Sequence, residues 1–269
     1  MDRIAGAGRD PGATAWPPCG EPRIIATMKI ALAQTEAVVG DVAANVANHL
    51  RFVERAAGLG ASCIAFPELS VTGYEPRLCQ GLAMDADDAR LDALQQAADG
   101  HGLTVAAGVP VRTRGKPRIS LVLFQPGAPR AVYSKQYLHA DEEPFFVPGP
   151  RQAGLIGSAP RVGLAICYEL SIAAHAEATF GQGAQLYLAS VAKTAQGVAA
   201  AGARLAGVAR EFAAPALMVN CVGTCDGVRC AGGSAAWDGK GRLLARLGDQ
   251  HEGLLVFDAA TGRAASSAT

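Results

Sequence analysis

The chain has 269 residues, half of them hydrophobic and 18% charged, and its 24 basic side chains balance 24 acidic ones. That composition suits one globular domain, or two at most, with ample core, and it fits a close-packed α/β protein better than a disordered or fibrous chain. No basic excess recommends a nucleic-acid partner, and no apolar stretch approaches the roughly 18–20 residues of a membrane-spanning helix.

Residues 1–27 are rich in Gly, Pro, Ala and Arg and show no period. They lack the apolar segment of about 7–15 residues that a signal peptide needs, and Asp2, Asp10 and Glu21 argue against a transit peptide. A disordered extension is the expectation, with Met28 as an alternative start.

Lys29 to Gln34 reads as a strand. Asp41 is a candidate N-cap for a helix in which Val42, Val46, Leu50 and Val53 recur at helical spacing to about Gly60. Residues 62–66 form a second strand, completing a βαβ unit with a right-handed crossover. Pro67 has no N–H for a sheet ladder, so Glu68 falls at a strand's C-terminal end. Apolar neighbours would raise its pKa and make it a better base, although a lone glutamate there is more often a surface residue. A helix is expected over 84–100, then strands over 103–111 and 119–124 in an antiparallel hairpin. A short strand over 131–134 delivers Lys135 to its end. Such a lysine is ordinarily solvated; held in a site, it would stabilise an oxyanion.

Two prolines and a glycine make 141–149 a loop. The apolar run Val162–Ile166 then ends at Cys167, where the chain must turn. A cysteine there is commonly a small core hydrophobe, but it can serve as a nucleophile if a base removes its proton. Beyond it, 171–182 reads as a helix containing His175, 184–191 as a buried strand, 197–213 as an Ala-rich helix, and 216–221, 234–237, 243–247 and 253–257 as strands. The tail from Ala259 is expected to fray. Seven cysteines, an odd number thinly spread, read as reduced thiols of a cytoplasmic protein. Cys221-x3-Cys225-x4-Cys230 hints at zinc but lacks a fourth ligand at usual spacing, so it reads as ordinary strand and loop thiols and no metal is expected.

A base, a cation and a thiol at three strand ends would make a hydrolytic site if they met, since strand C-termini are where α/β proteins bind ligands. The motifs around them resemble the carbon–nitrogen hydrolase (nitrilase) superfamily: Phe66-Pro67-Glu68 with Thr72-Gly73-Tyr74, Lys135 ahead of Asp141-Glu142 and Phe146-Val147-Pro148-Gly149, and Cys167-Tyr168-Glu169. Gln34, Asn220 with Gly223, and Gly232-Gly233-Ser234 also look like the family. The resemblance covers roughly residues 28–258.

It implies an αββα sandwich of two mixed sheets flanked by helices, and a homodimer or larger homo-oligomer packed through the helices after the nucleophile strand. It makes Cys167 the nucleophile, Glu68 the general base, Lys135 the cation at the tetrahedral oxyanion and Glu142 a second positioning glutamate, with Glu143 the alternative one residue on. The backbone N–H of Tyr168 becomes the second oxyanion donor. The implied reaction cleaves the C–N bond of a small linear amide through a Cys thioester, without metal or organic cofactor. A nitrilase and a non-catalytic binding relative are the alternatives. A glutaminase module feeding a synthetase is disfavoured, because no synthetase region follows residue 269.

The chain departs from the family pattern after the nucleophile, at Leu170 to His175, at Val191-Ala192-Lys193-Thr194, and at Val208. His175 is expected on a helix surface or interface. Alternatively, His175 or Lys193 would bind the carboxylate of an anionic or N-carbamoyl substrate.

Overall fold

A computed structural model describes residues 28–267; the expected disorder of residues 1–27 lies outside them. In chain order the strands are β1 (Lys29–Gln34), β2 (Cys63–Ala65), β3 (Thr104–Val111), β4 (Arg118–Phe124), β5 (Ala131–Ser134), β6 (Gly154–Ile156), β7 (Val162–Ile166), β8 (Leu186–Ser190), β9 (Ala216–Val219), β10 (Val222–Cys225), β11 (Val228–Ala231), β12 (Ala235–Trp237), β13 (Leu243–Arg246), β14 (Gly253–Asp258) and β15 (Arg263–Ser267). The helices are α1 (Val42–Gly58), α2 (Cys79–Leu82), α3 (Asp92–His101), α4 (Ala173–Gly181) and α5 (Ala195–Phe212).

The strands form two mixed sheets, β15-β14-β1-β2-β3-β4-β5 and β13-β12-β9-β8-β7-β6, with β10–β11 a separate hairpin. Within them β1, β2 and β3 run parallel, as do β7, β8 and β9. Parallel strands are buried on both faces, and their side chains sort by the two-residue period of a strand. Ile30 and Leu32 of β1 point into the layer between the sheets, where they meet Leu121, Leu164, Leu188 and Leu217. Ala31 and Ala33 point the other way, against the helices that carry Phe52 and Leu94. In the second sheet Leu164 faces inward, whereas Ala165 and Tyr187 face Phe180, Leu205 and Val208 of α4 and α5. Three apolar layers separate four layers of secondary structure, the αββα sandwich expected.

The departures are local. Residues 84–88 are not helical: Met84 bridges to Val111, and the Asp88 carboxylate caps a 3-10 turn by accepting from the Arg90 N–H at 3.0 Å, so the helix starts after it. Residues 263–267, expected in a frayed tail, pair antiparallel with β14. Strands β6, β10 and β11 are too short and too mixed in composition to show a sequence period.

Candidate active site

Glu68, Lys135 and Cys167 follow β2, β5 and β7, and the fold brings all three to one place between the sheets. The Phe66–Glu68 segment lies directly on β3. A Cβ on Gly108 would stand 2.4 Å from the Pro67 carbonyl oxygen and 2.3 Å from the Leu69 nitrogen, so only glycine permits that approach. The next residue, Leu69, is in the left-handed conformation at φ 52°. Ser70 Oγ accepts from the Gly108 N–H and pairs with the buried His49 ring at 2.9 Å, which pins the loop from behind. A second close approach sets the Glu142 loop: the Gly149 N–H donates to the Lys135 carbonyl at 2.7 Å, and a Cβ there would meet Ser134.

Lys135 is fully buried. Its ammonium donates to Glu68 Oε1 at 2.8 Å and to Glu142 Oε1 at 2.5 Å. Glu142 is held from the other side by the Tyr74 hydroxyl at 3.0 Å and the His139 N–H at 2.8 Å. Its neighbour Glu143 is exposed and stays outside the cluster. Two carboxylates thus share one cation. Burial pulls Lys135 toward neutrality, but Glu68, Cys167 and Glu142 outweigh it and keep the lysine protonated. Glu68 moves above the ordinary glutamate range, mainly by burial, with Lys135 opposing. Its Oε2 is buried without a hydrogen-bond partner among the described residues, and the Cys167 side chain lies near this carboxyl group.

Cys167 occupies a turn that L-residues seldom adopt, at φ 44°, where strand β7 passes into a 3-10 turn. Such strain costs about 1–3 kcal/mol and persists only where the surroundings enforce it. Glu169 does the enforcing. Its Oε2 accepts from the Ile166 N–H and the Tyr133 hydroxyl, both at 2.7 Å, and its Oε1 accepts from the Gln136 N–H at 2.5 Å. One carboxylate therefore ties the residue before the cysteine to the residue after the lysine. Burial pushes the Cys167 thiol up to about 11; Glu68 adds to the rise, and Lys135 and Lys193 oppose it.

The thiol opens onto a cleft of about 600 Å³ lined by Tyr74, Glu142, Tyr168, Lys193, Cys225 and Cys230 among others. Lys193 belongs to this cleft, and its backbone is clamped by Asn220, which accepts from the Lys193 N–H and donates to its carbonyl. His175 does not belong to it. Rather than lying on a helix surface or facing substrate, His175 is buried behind Glu169, with Nε2 2.7 Å from the Tyr133 hydroxyl and Nδ1 2.8 Å from the Tyr187 hydroxyl. Burial lowers its pKa to about 4 and keeps it neutral. An α4 with an inward-facing His at this spacing carries no sequence mark that separates it from a surface one.

Glu169 and Tyr74 were visible only as motif letters; their roles needed the fold. The clustering of three cysteines was not expected either: Cys221, Cys225 and Cys230 place their Sγ atoms within 4.8 Å of one another.

Residues 29–268 match the carbon-nitrogen hydrolase family. An (R)-stereoselective amidase from Pseudomonas sp. is 30% identical over 224 residues, which are 82% of this chain and 81% of that protein. The amidase from Nesterenkonia sp. AN1, solved as a variant in complex with butyramide, is similar in structure at a TM-score of 0.80 and 27% identity, over 90% of this chain and 94% of that one. Another variant of that amidase, with the acetamide moiety of fluoroacetamide added covalently at its active-site cysteine, matches at a TM-score of 0.79 and 27% identity, over 88% of this chain and 91% of that one. The chain belongs to the carbon-nitrogen hydrolase family, and it is a hydrolase of C–N bonds other than peptide bonds. Among the described residues no helix is long and apolar enough to cross a membrane.

Proposed function

We propose that the protein is an amidase in which Cys167 attacks the carbonyl carbon of a small linear amide. The observation that supports this reading best is the buried Lys135 held between Glu68 and Glu142, beside the Cys167 thiol and a Glu68 oxygen without a hydrogen-bond partner among the described residues. In this mechanism Glu68 takes the thiol proton as sulfur bonds to carbon. The carbonyl π electrons move to oxygen. Two N–H donors of Lys135 are occupied by the carboxylates, so the third is available to the oxyanion, together with the Tyr168 backbone N–H. Glu68 then returns the proton to the leaving nitrogen, the C–N bond breaks, and ammonia or an amine departs from a thioester. Water, deprotonated by Glu68, adds to the thioester, and the collapsing intermediate expels the Cys167 sulfur, which takes the proton back from Glu68 as the acid is freed. A positioned proton carrier of this kind contributes roughly 100- to 10,000-fold.

Lys193 makes the cleft suited to amides bearing a carboxylate or to N-carbamoyl acids. The helices after the nucleophile strand are our choice for a homo-oligomer interface, in a cytoplasmic enzyme. Ammonia release from a panel of neutral amides, carboxylated amides, ureido acids and nitriles, with Cys167→Ala alongside, tests the reading. Amide turnover abolished in the variant, with an acyl adduct on Cys167 by intact mass, is the expected result. Turnover of nitriles alone, or no adduct with any compound, would overturn it.

A further inference from the structure

The hairpin β10–β11 forms one wall of the catalytic cleft and carries two thiols that the hydrolytic reaction does not use. Its two-residue turn, Asp226-Gly227, has both residues at positive φ, 47° and 72°, the turn type that matches strand twist and holds a hairpin in register. Gly223 pairs with Cys230, and Cys225 with Val228. Cys221 enters the hairpin from β9 and is buried, as is Cys230, while Cys225 is half-buried and faces the cleft. Cys221 Sγ and Cys225 Sγ are 3.5 Å apart, and all three sulfurs fall within 4.8 Å of one another.

That is the size of a thiolate coordination sphere. A metal–sulfur bond of about 2.3 Å places sulfurs about 3.8 Å apart in tetrahedral and about 4.0 Å apart in trigonal geometry. The Cys221–Cys225 separation of 3.5 Å is slightly shorter than either value and no pair of the three exceeds 4.8 Å, so shifts of up to about 1 Å would seat an ion. The ligands come from a hairpin closed by a tight turn and from the end of a central strand, and such a frame holds a site better than a loop does. Sulfur-only ligation selects thiophilic cations over Mg²⁺ or Ca²⁺.

We propose that Cys221, Cys225 and Cys230 form a three-thiolate site for a thiophilic divalent cation, Zn²⁺ in particular, in the wall of the catalytic cleft. Binding replaces three S–H bonds by three S–Zn bonds and releases three protons to solvent. Three protein ligands leave a fourth position for water. The spacing of the three cysteines, lacking a fourth ligand, concealed the site; the hairpin assembles it.

The test uses the full chain carrying Cys167→Ser, so that the nucleophile cannot bind metal. Cd²⁺ serves as the probe, read by thiolate-to-cadmium charge-transfer absorption and by ¹¹³Cd NMR, whose shift counts sulfur ligands without any further variant. One equivalent with a three-sulfur shift, displaced by Zn²⁺, is expected, and Cys225→Ser and Cys230→Ser should each weaken Cd²⁺ binding at least about tenfold. A shift reporting fewer than three sulfurs, or binding unchanged in both serine variants, would overturn the proposal. Neither readout depends on turnover, so a failure of the amidase reading leaves it standing.

Discussion

Glu68 follows β2 of one sheet and Glu169 lies in the turn after β7 of the other, 2% and 0% exposed. Burial raises both pKa values, Glu169 to about 7. Yet they are opposites in their surroundings. Glu169 accepts from two backbone N–H groups and one tyrosine hydroxyl, and both its oxygens are used. Glu68 accepts from Lys135 on one oxygen and leaves the other bare next to a thiol. An unpartnered buried acceptor is costly, about 1–3 kcal/mol, and survives where the reaction needs a vacant lone pair. In the proposed mechanism it is the vacancy, rather than burial alone, that suits Glu68 to act as the base. Glu169 instead uses both oxygens, through three accepted hydrogen bonds, to hold the segments that carry Cys167 and Lys135 in place.

The largest effect that would break this comparison is on turnover. Cys167→Ala should lower kcat/KM by roughly 10⁴-fold or more, and Glu68→Gln by roughly 10²- to 10⁴-fold, with little change in thermal midpoint because the amide oxygen still accepts from Lys135. Steady-state kinetics and thermal unfolding of the same samples check both. Glu169→Gln should invert the pattern. Its NH2 would face the one donor on the Oε1 side or the two on the Oε2 side, so a loss of about 2–3 kcal/mol in urea unfolding is expected, with a smaller drop in kcat than Glu68→Gln gives.

The pH responses sharpen the contrast. Glu68 must be ionised to accept the thiol proton, so kcat/KM should rise with pH through an apparent pKa above the usual 4.5, and that limb should vanish in Glu68→Gln. For Glu169 the sign concerns stability. Its folded pKa lies near 7 and its unfolded value near 4.5. Its contribution is therefore fully present below about 4.5 and is lost as pH rises through about 7. Urea midpoints of the wild type and of Glu169→Gln at about pH 5 and about pH 8 should differ in slope accordingly.

Smaller effects are expected around the cleft. Lys193→Ala should raise KM for carboxylated amides and leave neutral ones unchanged, by up to about tenfold for one lost charge contact. Equal effects on both substrate classes would remove Lys193 from anion binding. His175→Phe should leave every KM in place and cost about 1–2 kcal/mol of stability, because two buried tyrosine hydroxyls each lose a partner.

Much of this molecule was legible in its residues. Local patterns marked the strands β1, β3, β4 and β7, because buried strands are nearly continuous apolar runs, and they marked α1 through its Asp41 cap. Motif letters located Glu68, Lys135 and Cys167, because a residue at the exit of an apolar run lies at a strand end whatever the topology; Glu142, in a loop, was located by the family resemblance alone. What the letters could not carry were distances between segments far apart in the chain. Only the strand order β2-β3-β4-β5 within one sheet put Lys135 within 2.8 Å of a carboxylate 67 residues away, and only the packing of the second sheet brought Cys167 to them. Only the close approach at Gly108 and the left-handed turn at Cys167 oriented base and thiol. His175 and the three cysteines make the same point from the other side. A side chain's identity names what it can do, but the direction it faces is set by which layer its element covers, and that is a property of the whole fold.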